Sequence, residues 1–430
     1  MMNSREQYKR LLLFVANAVT LFYEFILFAC IWYTVYIADI EMPFYRRGNW
    51  AVVGIYVLCM FFFTNMFGGY QIGYLKVADA CLSHLLANIA ANIVAYFELC
   101  IVARDYVKVA PLAVIAVIEI VVICCWIFVV QYIYNWLYPP HKLIVIYGDY
   151  SPEDFIAKIN SRRDKYDICG TISIHVGYEK LFEEIQKYEA VIIYDIHAQE
   201  RNKILKFCFD NYIRTYVTPK VSDILISSMD TIHMFDTPLL LARNQGLQMN
   251  QILIKRLMDI VLSIIGIVIT SPFMLVIALL IKLYDRGPVF YRQVRLTKDG
   301  KRFRIIKFRS MCVNSEKDGA RLMAKGDKRV TPVGRVLRNI HFDELPQLFN
   351  ILKGDMSIVG PRPERPEIFS RYEEEIPEFC FRLKVKAGLT GYAQVYGKYN
   401  TTPYDKLKLD MIYIENFSLL MDLKLVIMTV

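Results

Sequence analysis

The residues best suited to chemistry stand together in Asn339-Ile340-His341-Phe342-Asp343-Glu344-Leu345-Pro346-Gln347-Leu348-Phe349-Asn350. Asp343 and Glu344 are adjacent carboxylates at an expected helix start. Asp343 can serve as the N-cap, Pro346 is tolerated in the first turn, and Gly354 offers a stop after Lys353. A helix N-terminus presents free N–H groups and partial positive charge, which favour phosphate. Arg335 and Arg338 precede the pair, and Arg362 and Arg365 follow it. These residue types together point to metal-assisted chemistry on a phosphate. An acidic cap on a surface helix is the alternative reading of the pair taken alone. Neighbouring residues on a regular helix face different ways, so the two carboxylates are expected to divide their labour.

Further motifs surround the pair. Lys307-Phe308-Arg309-Ser310-Met311 and Thr331-Pro332-Val333-Gly334-Arg335 come before it. Gly354-Asp355-Met356-Ser357-Ile358-Val359-Gly360-Pro361-Arg362-Pro363 and Gly388-Leu389-Thr390-Gly391 come after. In that order and spacing, the chain from about Lys255 onward closely resembles the bacterial sugar transferase family, the monotopic polyprenyl-phosphate hexose-1-phosphate transferases. The front of the chain resembles the large members, which add four transmembrane helices and a Rossmann-like domain.

The resemblance implies that Asp343 is a nucleophile. It would attack the β-phosphate of a UDP-sugar and release UMP, and undecaprenyl phosphate would then attack the phosphoryl-aspartate. It also implies that Glu344, with Asp343, helps to hold Mg²⁺. Lys307, Arg309, Arg338 and Arg362 would then neutralise phosphate charge, arginine being suited to bidentate contact. Pro361 and Pro363 restrict the backbone around Arg362. Two departures stand out. Ala387 precedes Gly388 where many relatives have proline, and the chain ends inside an apolar run from about Leu423, so a short last helix is expected. Asp410, Tyr413 and Asp422 match the family's C-terminal pattern. For Asp410 a metal or nucleotide role and a structural role on a helix surface both stand open.

These groups need elements to position them. Hydrophobic residues make up 55% of the 430, high for a soluble protein. Four apolar runs account for this, Leu11–Ile37, Trp50–Phe67, Ala80–Val102 and Pro111–Tyr134, each near the ~20 residues that span a bilayer. The first is too long for a cleavable signal and lacks a small-residue cleavage site. Arg5, Lys9, Arg10, Lys76, His141 and Lys142 place both ends of this four-helix bundle in the cytoplasm, although Arg46 and Arg47 in the 38–49 loop fit less well. Glu24, His84, Asn88, Asn92, Glu98 and Glu119 lie in the spans. Intramembrane ionisable groups suggest function by default. Hydrogen bonding between helices is the preferred reading here, because no basic cluster or acidic pair marks an ion path. The ten cysteines have no metal-like spacing.

From Lys142 to Gln248 short apolar runs alternate with amphipathic ones. Strands are expected at Leu143–Tyr147, Gly170–Val176, Ala190–Tyr194 and Tyr212–Val217. Helices are expected at Pro152–Asn160, Tyr178–Lys187 and Gln199–Asn211. This alternation predicts a parallel, doubly wound α/β sheet. The first turn, Tyr147-Gly148-Asp149-Tyr150-Ser151, lacks G-x-G-x-x-G, so a structural, regulatory or oligomerising role is preferred to dinucleotide binding.

Ile260–Ile281 is free of charge and long enough to span, but Ser271-Pro272 interrupts it and both flanks are basic. Proline removes a backbone hydrogen bond and kinks the helix, while the Ser271 hydroxyl can satisfy the freed carbonyl. A fifth transmembrane helix is the alternative. Basic flanks suit a helix that enters, bends and returns, and the resemblance implies this re-entrant geometry. Beyond it, Val289–Val294 and Arg302–Phe308 read as strands joined across Lys298-Asp299-Gly300-Lys301, with Lys307 and Arg309 expected at the membrane surface. Ten Lys or Arg against two Asp between Lys282 and Arg309 suit lipid headgroups or a phosphate substrate. No helix-turn-helix, zinc finger or RNP motif supports a nucleic-acid partner.

The expected architecture is therefore a membrane protein in three parts. Residues 1–140 would form four transmembrane helices and 141–247 a Rossmann-like α/β domain. Residues 248–430 would form an α+β monotopic catalytic domain with a re-entrant helix at 252–283. The expected activity is transfer of hexose-1-phosphate from a UDP-sugar to undecaprenyl phosphate at the cytoplasmic face of the bacterial inner membrane. It would be the initiating step of capsule, exopolysaccharide or O-antigen synthesis, with membrane lipids and a second copy of the chain as further partners. The alternative is a membrane-anchored regulatory or nucleotide-binding protein that uses the Rossmann-like domain.

Overall fold

The computed structural model describes residues 4–40, 47–160, 165–242, 246–312, 329–397 and 401–429, and the chain divides into two units, Met1–Thr218 and Pro219–Val430. Of the charges in the 38–49 loop, Glu41 and Arg46 lie outside the described residues.

The first unit begins with four long helices, α1 (Ser4–Thr34), α2 (Arg47–Phe67), α3 (Val77–Ala103) and α4 (Val109–Leu137). Their outward faces are apolar, with Phe14, Phe22, Phe97, Ile101 and Phe128 all more than half exposed, as suits a lipid environment. Phe28, Trp32, Tyr56, Met60 and Leu99 pack inside. Polar residues inside the bundle bond to one another. The Tyr56 hydroxyl lies 2.8 Å from Glu119 Oε2, and Asn88 Nδ2 donates to the same oxygen at 2.6 Å. Asn92 donates back to Asn88 at 3.2 Å. The expected hydrogen bonding between helices is thus present at Asn88 and Glu119, and at Asn92 through a 3.5 Å contact to the Tyr56 hydroxyl, whereas the buried carboxylate oxygens of Glu24 and Glu98 have no hydrogen-bond partner among the described residues.

The same unit continues with β1 (His141–Tyr147), α5 (Glu153–Ile159), β2 (Tyr166–Ser173), α6 (Tyr178–Ile185), β3 (Ala190–Tyr194), α7 (Ala198–Asp210) and β4 (Arg214–Val217). The strands form a parallel sheet in the order β2-β1-β3-β4. Successive residues of β1 enter opposite cores. Ile144 and Ile146 pack with Leu181, Ile185 and Ile204, while Leu143 and Val145 face Phe155, Ile156 and Ile159. Burial on both faces explains the unbroken apolar run of β1.

The second unit opens with α8 (Val221–Ser227) and an exposed hairpin of β5 (Asp230–Met234) and β6 (Thr237–Leu241). Then comes α9 (Met249–Asp285), a 37-residue helix with Pro272 inside it. Proline 272 cannot donate to the Val268 carbonyl, and the Ser271 hydroxyl takes that place at 2.9 Å. With α9, five helices among the described residues are long and apolar enough to cross a membrane.

An antiparallel hairpin follows, β7 (Phe290–Leu296) and β8 (Arg302–Phe308), with Asp299 in the left-handed region at its turn (φ 58°). The remaining elements are α10 (Pro332–Asn339), α11 (Gln347–Lys353), β9 (Ser357–Val359), α12 (Pro366–Glu375), β10 (Gly388–Thr390), α13 (Tyr392–Tyr396), α14 (Pro403–Glu415) and α15 (Leu419–Thr429). Ile351, Met356, Phe379, Leu407, Met411 and Leu425 form their shared core, which Val221 and Ile224 of α8 join.

Both ends of α9 are fixed to this unit. At its start Lys255 pairs with Asp422 at 2.5 Å, Arg256 donates to the carbonyls of Ile351 and Leu352, and Asp259 accepts from Ser357 Oγ and the Ile358 N–H. Toward its end Ile277 and Ile281 pack on Phe308 and Leu337. Between them Val268, Ile269, Phe273, Leu275 and Val276 are more than half exposed.

Candidate active site

The carboxylate pair does not sit at the N-terminus of an α-helix as expected. Phe342–Glu344 forms a single 3-10 turn, and α11 begins three residues later at Gln347. Asp343 therefore does not cap α11. The reason is local. His341 adopts the left-handed conformation (φ 57°), uncommon for a residue with a Cβ, and turns the chain before the pair. The expected stop at Gly354 is present.

The two carboxylates differ in their surroundings. Glu344 receives Lys307 Nζ at 2.7 Å and Arg362 Nη2 at 2.9 Å, both on Oε1. Burial alone would raise its carboxyl, but Arg362 and Lys307 outweigh burial and hold it down to about 2. Asp343 is 8% exposed. Burial raises its carboxyl above the usual 3.8, and repulsion from Glu344 adds to this, against the pull of Lys307 and Arg338. Lys307 is itself lowered by desolvation, partly offset by Glu344. The two neighbours thus differ in kind. Glu344 is locked as an anion, and Asp343 is a desolvated, more basic carboxylate. Desolvation of this sort makes a better nucleophile.

Three elements bring these groups together. β8 carries Lys307, and Asn350 of α11 holds that strand by accepting from the Ile306 N–H at 3.0 Å and donating to the Arg304 carbonyl at 2.9 Å. Gly334 explains a second motif: a Cβ there would meet the Ser310 carbonyl at 2.0 Å, so only glycine lets α10 approach this close. From α10, Arg338 Nε donates to Ser310 Oγ at 2.8 Å. Arg362 follows β9, where a Cβ on Gly388 would collide with Gly360 at 2.1 Å. The two glycine motifs are thus places where two backbones touch.

Of the residues singled out in the sequence, Asp343, Glu344, Lys307 and Arg362 converge. Arg338 lies close enough to influence Asp343 while bonding Ser310. Arg309 is drawn elsewhere: its Nε donates to the Pro288 carbonyl at 2.7 Å, and its guanidinium fills the space beside Gly287. Ser271 and Pro272 sit mid-way along α9 rather than with this group. Asp410 is no surface residue; it is 1% exposed and pairs with Arg382 at 2.7 Å. Sequence reading missed Arg382, Arg295, Asn350 and Asp259. Asn350 stood in the motif around the carboxylate pair without a role, and the bonds that give these four residues their tasks reach partners far off in the chain.

Among the described residues no three His, Cys, Asp or Glu converge as a metal cage. Mg²⁺ does not require one, since it keeps waters and takes one or two carboxylates plus substrate phosphates. The adjacent Asp343 and Glu344 fit that requirement.

Comparison with known proteins shows which family the chain belongs to. The family model for bacterial sugar transferases matches residues 250–430. The Aeromonas hydrophila UDP-N-acetylgalactosamine-undecaprenyl-phosphate N-acetylgalactosaminephosphotransferase is 37% identical over 317 residues, covering 72% of this chain and 70% of that one. The UDP-glucose:undecaprenyl-phosphate glucose-1-phosphate transferase of Klebsiella pneumoniae is 40% identical over 48% of this chain and 43% of its own. A protein of the same description from Caulobacter vibrioides is 41% identical over 41% of this chain and 68% of its own. The match to the Aeromonas protein runs through most of both chains, and the family model covers every residue of the carboxylate pair, its arginines and α9 from its second residue onward. The chain belongs to the bacterial sugar transferase family.

Proposed function

We propose that this enzyme transfers a hexose-1-phosphate from a UDP-sugar to undecaprenyl phosphate, releasing UMP and leaving undecaprenyl-diphosphate-sugar. The observation that carries this is the contrast within the pair: a buried, basic Asp343 beside a Glu344 held by Lys307 and Arg362. An Asp343 oxygen attacks the β-phosphorus of the UDP-sugar, and the bond from that phosphorus to the bridging oxygen breaks, so UMP leaves. An oxygen of undecaprenyl phosphate then attacks the same phosphorus and displaces Asp343, restoring the free carboxylate. Lys307 and Arg362 offset phosphate charge in both steps, and a half-exposed Arg362 can turn from Glu344 toward an entering phosphate. Mg²⁺ held by Asp343 and Glu344 would supply further charge neutralisation on phosphate oxygens.

We place the site at the cytoplasmic face of the bacterial inner membrane, where the positive flanks of the apolar runs put it. We read α9 as re-entrant. Its two ends pack on one folded unit while much of its middle is apolar and exposed, and this supports the reading. Cysteines at Asn250 and Lys301, in a background lacking the native ones, should label from one side; opposite-side labelling would make α9 a true span. The parallel order β2-β1-β3-β4 supports a Rossmann-like reading of the α/β region, for which a regulatory or oligomerising role, including pairing of two copies, is proposed. Relatives act on different sugars by name, so the donor is to be found by screening UDP-sugars with purified protein and undecaprenyl phosphate. UMP release with one of them is expected. No UMP release with any, from folded protein, would sink the proposal. The product would serve to initiate capsule, exopolysaccharide or O-antigen assembly.

A further inference from the structure

Arg362 reaches Glu344 from a side chain that is 49% exposed, so little side-chain packing fixes its aim. Its direction must come from the backbone of Pro361-Arg362-Pro363-Glu364. The two prolines fix φ there but supply no N–H, so bonds to the carbonyls matter more in holding the segment. All four are taken. Pro361 accepts from the Gly388 N–H at 2.9 Å and Glu364 from the Leu296 N–H at 3.1 Å. Pro363 accepts from Arg295 Nη1 at 3.1 Å, and Arg362 accepts from Arg382 Nη2 at 3.2 Å.

The last of these bonds is the most elaborately built. Arg382 is 4% exposed, and Asp410 of α14 holds it through Nε at 3.0 Å and Nη2 at 2.7 Å. A third nitrogen faces Glu364 at 3.7 Å. One helical turn on from Asp410, the Tyr413 hydroxyl lies 3.3 Å from the Val359 carbonyl, two residues before the segment begins. Apolar residues of similar volume would serve packing as well as a buried ion pair does, and often better. They could not donate to the Arg362 carbonyl.

We infer that Arg382, aimed by Asp410, is a positioning residue for Arg362: it fixes the backbone from which Arg362 meets Glu344 and the substrate phosphate. This rests on the reading of Arg362 as a phosphate-binding group. It also gives Asp410 a role in the reaction that involves no contact with metal or nucleotide.

A double-mutant cycle on the full-length chain tests it, with UMP release as the readout. Arg382→Lys keeps the charge opposite Asp410 but loses the fork that spans Asp410 and the carbonyl. Misplacing a reacting group by about 1 Å can cost ~10²-fold, so Arg382→Lys should lower kcat/KM by about 10- to 100-fold. In an Arg362→Ala background the same change should cost under about 3-fold, because no arginine remains to be aimed. Asp410→Asn should reproduce both results, and it carries the cycle alone where Arg382→Lys does not fold. A role confined to stability predicts equal losses in both backgrounds, and that result would overturn the inference while leaving the proposed reaction standing. Unchanged turnover by Arg362→Ala itself would remove Arg362 from the reaction, and the inference with it. Absence of UMP release from the unaltered chain would instead count against the proposed function.

Discussion

Two carboxylates, Glu119 in the helical bundle and the partly buried Glu344 in the second unit, are each held by two side-chain donors, and the donors differ. Glu119 is fully buried and receives a tyrosine hydroxyl and an asparagine amide. Glu344 receives an ammonium and a guanidinium. Neutral donors satisfy a carboxyl without bringing a second charge out of water, which suits an apolar bundle. Cations are costlier to bury, and here one of them stays half exposed. A phosphate arriving from solvent can share it. The first arrangement is closed and packs helices together; the second is open to an anion and can take part in chemistry.

The comparison is most sharply tested at Asp343, which has the desolvation of the first kind of site and the neighbours of the second. Asp343→Asn keeps the shape but removes the anionic oxygen, so UMP release should fall on the order of 10⁴-fold or more, as for loss of other nucleophiles. Membrane insertion should be unchanged. Near-normal release would remove Asp343 as nucleophile.

Glu344→Gln should be impaired by roughly 10²- to 10³-fold, the scale of losing one electrostatic group at a reacting centre. It should also need more Mg²⁺. An unchanged Mg²⁺ titration would assign the metal to other ligands.

A smaller effect is expected from pH. Burial raises the Asp343 carboxyl above 3.8, while Arg362 and Lys307 hold Glu344 at about 2. The single-turnover burst of UMP, measured without undecaprenyl phosphate, should therefore lose rate along one acid limb with a midpoint above 3.8. A midpoint nearer 2 would mean that Glu344 controls the limb. The two groups act on stability with opposite signs. Glu344 contributes stability above its unfolded value of about 4.5, and this is lost as pH falls toward 2. Ionised Asp343 weighs against folding above its usual 3.8, so Asp343→Asn should melt no lower than the parent at pH 7.

The smallest effect on catalysis belongs to Glu119. Glu119→Gln should leave UMP release within about 2-fold, since the donors of a closed neutral cluster do not face substrate. Glu119→Leu leaves the Tyr56 hydroxyl and the Asn88 amide without their acceptor, at a cost of roughly 1–3 kcal/mol each in thermal or denaturant unfolding. A large loss of turnover in folded Glu119→Gln would erase the distinction between the two carboxylates.

Much of the architecture was legible because its signals are short in range. Apolar runs of membrane length, the strand–helix alternation from β1 to β4, the Asp-Gly hairpin turn and the Ser271 hydroxyl beside Pro272 each depend on residues within a few positions of one another. The glycine motifs were visible as motifs, although their reason, the contact of two backbones at Gly334 and at Gly360 with Gly388, was not.

The amino-acid sequence by itself determined the helices, the sheet and the family, because periodicity and motif order need no tertiary contact. The tertiary structure alone decided which cations meet which carboxylates. Lys307 and Arg362 reach Glu344 across 37 and 18 positions, Arg382 reaches Asp410 across 28, and Lys255 reaches Asp422 across 167. Arg309 turns to Pro288, although its place beside Lys307 suggested a shared task. His341 moves the pair out of the helix cap that Asp343 otherwise predicts. A charged side chain several bonds long can settle on many partners, and only the packing of β8, β9, α11 and α14 around a common core leaves one within hydrogen-bonding distance.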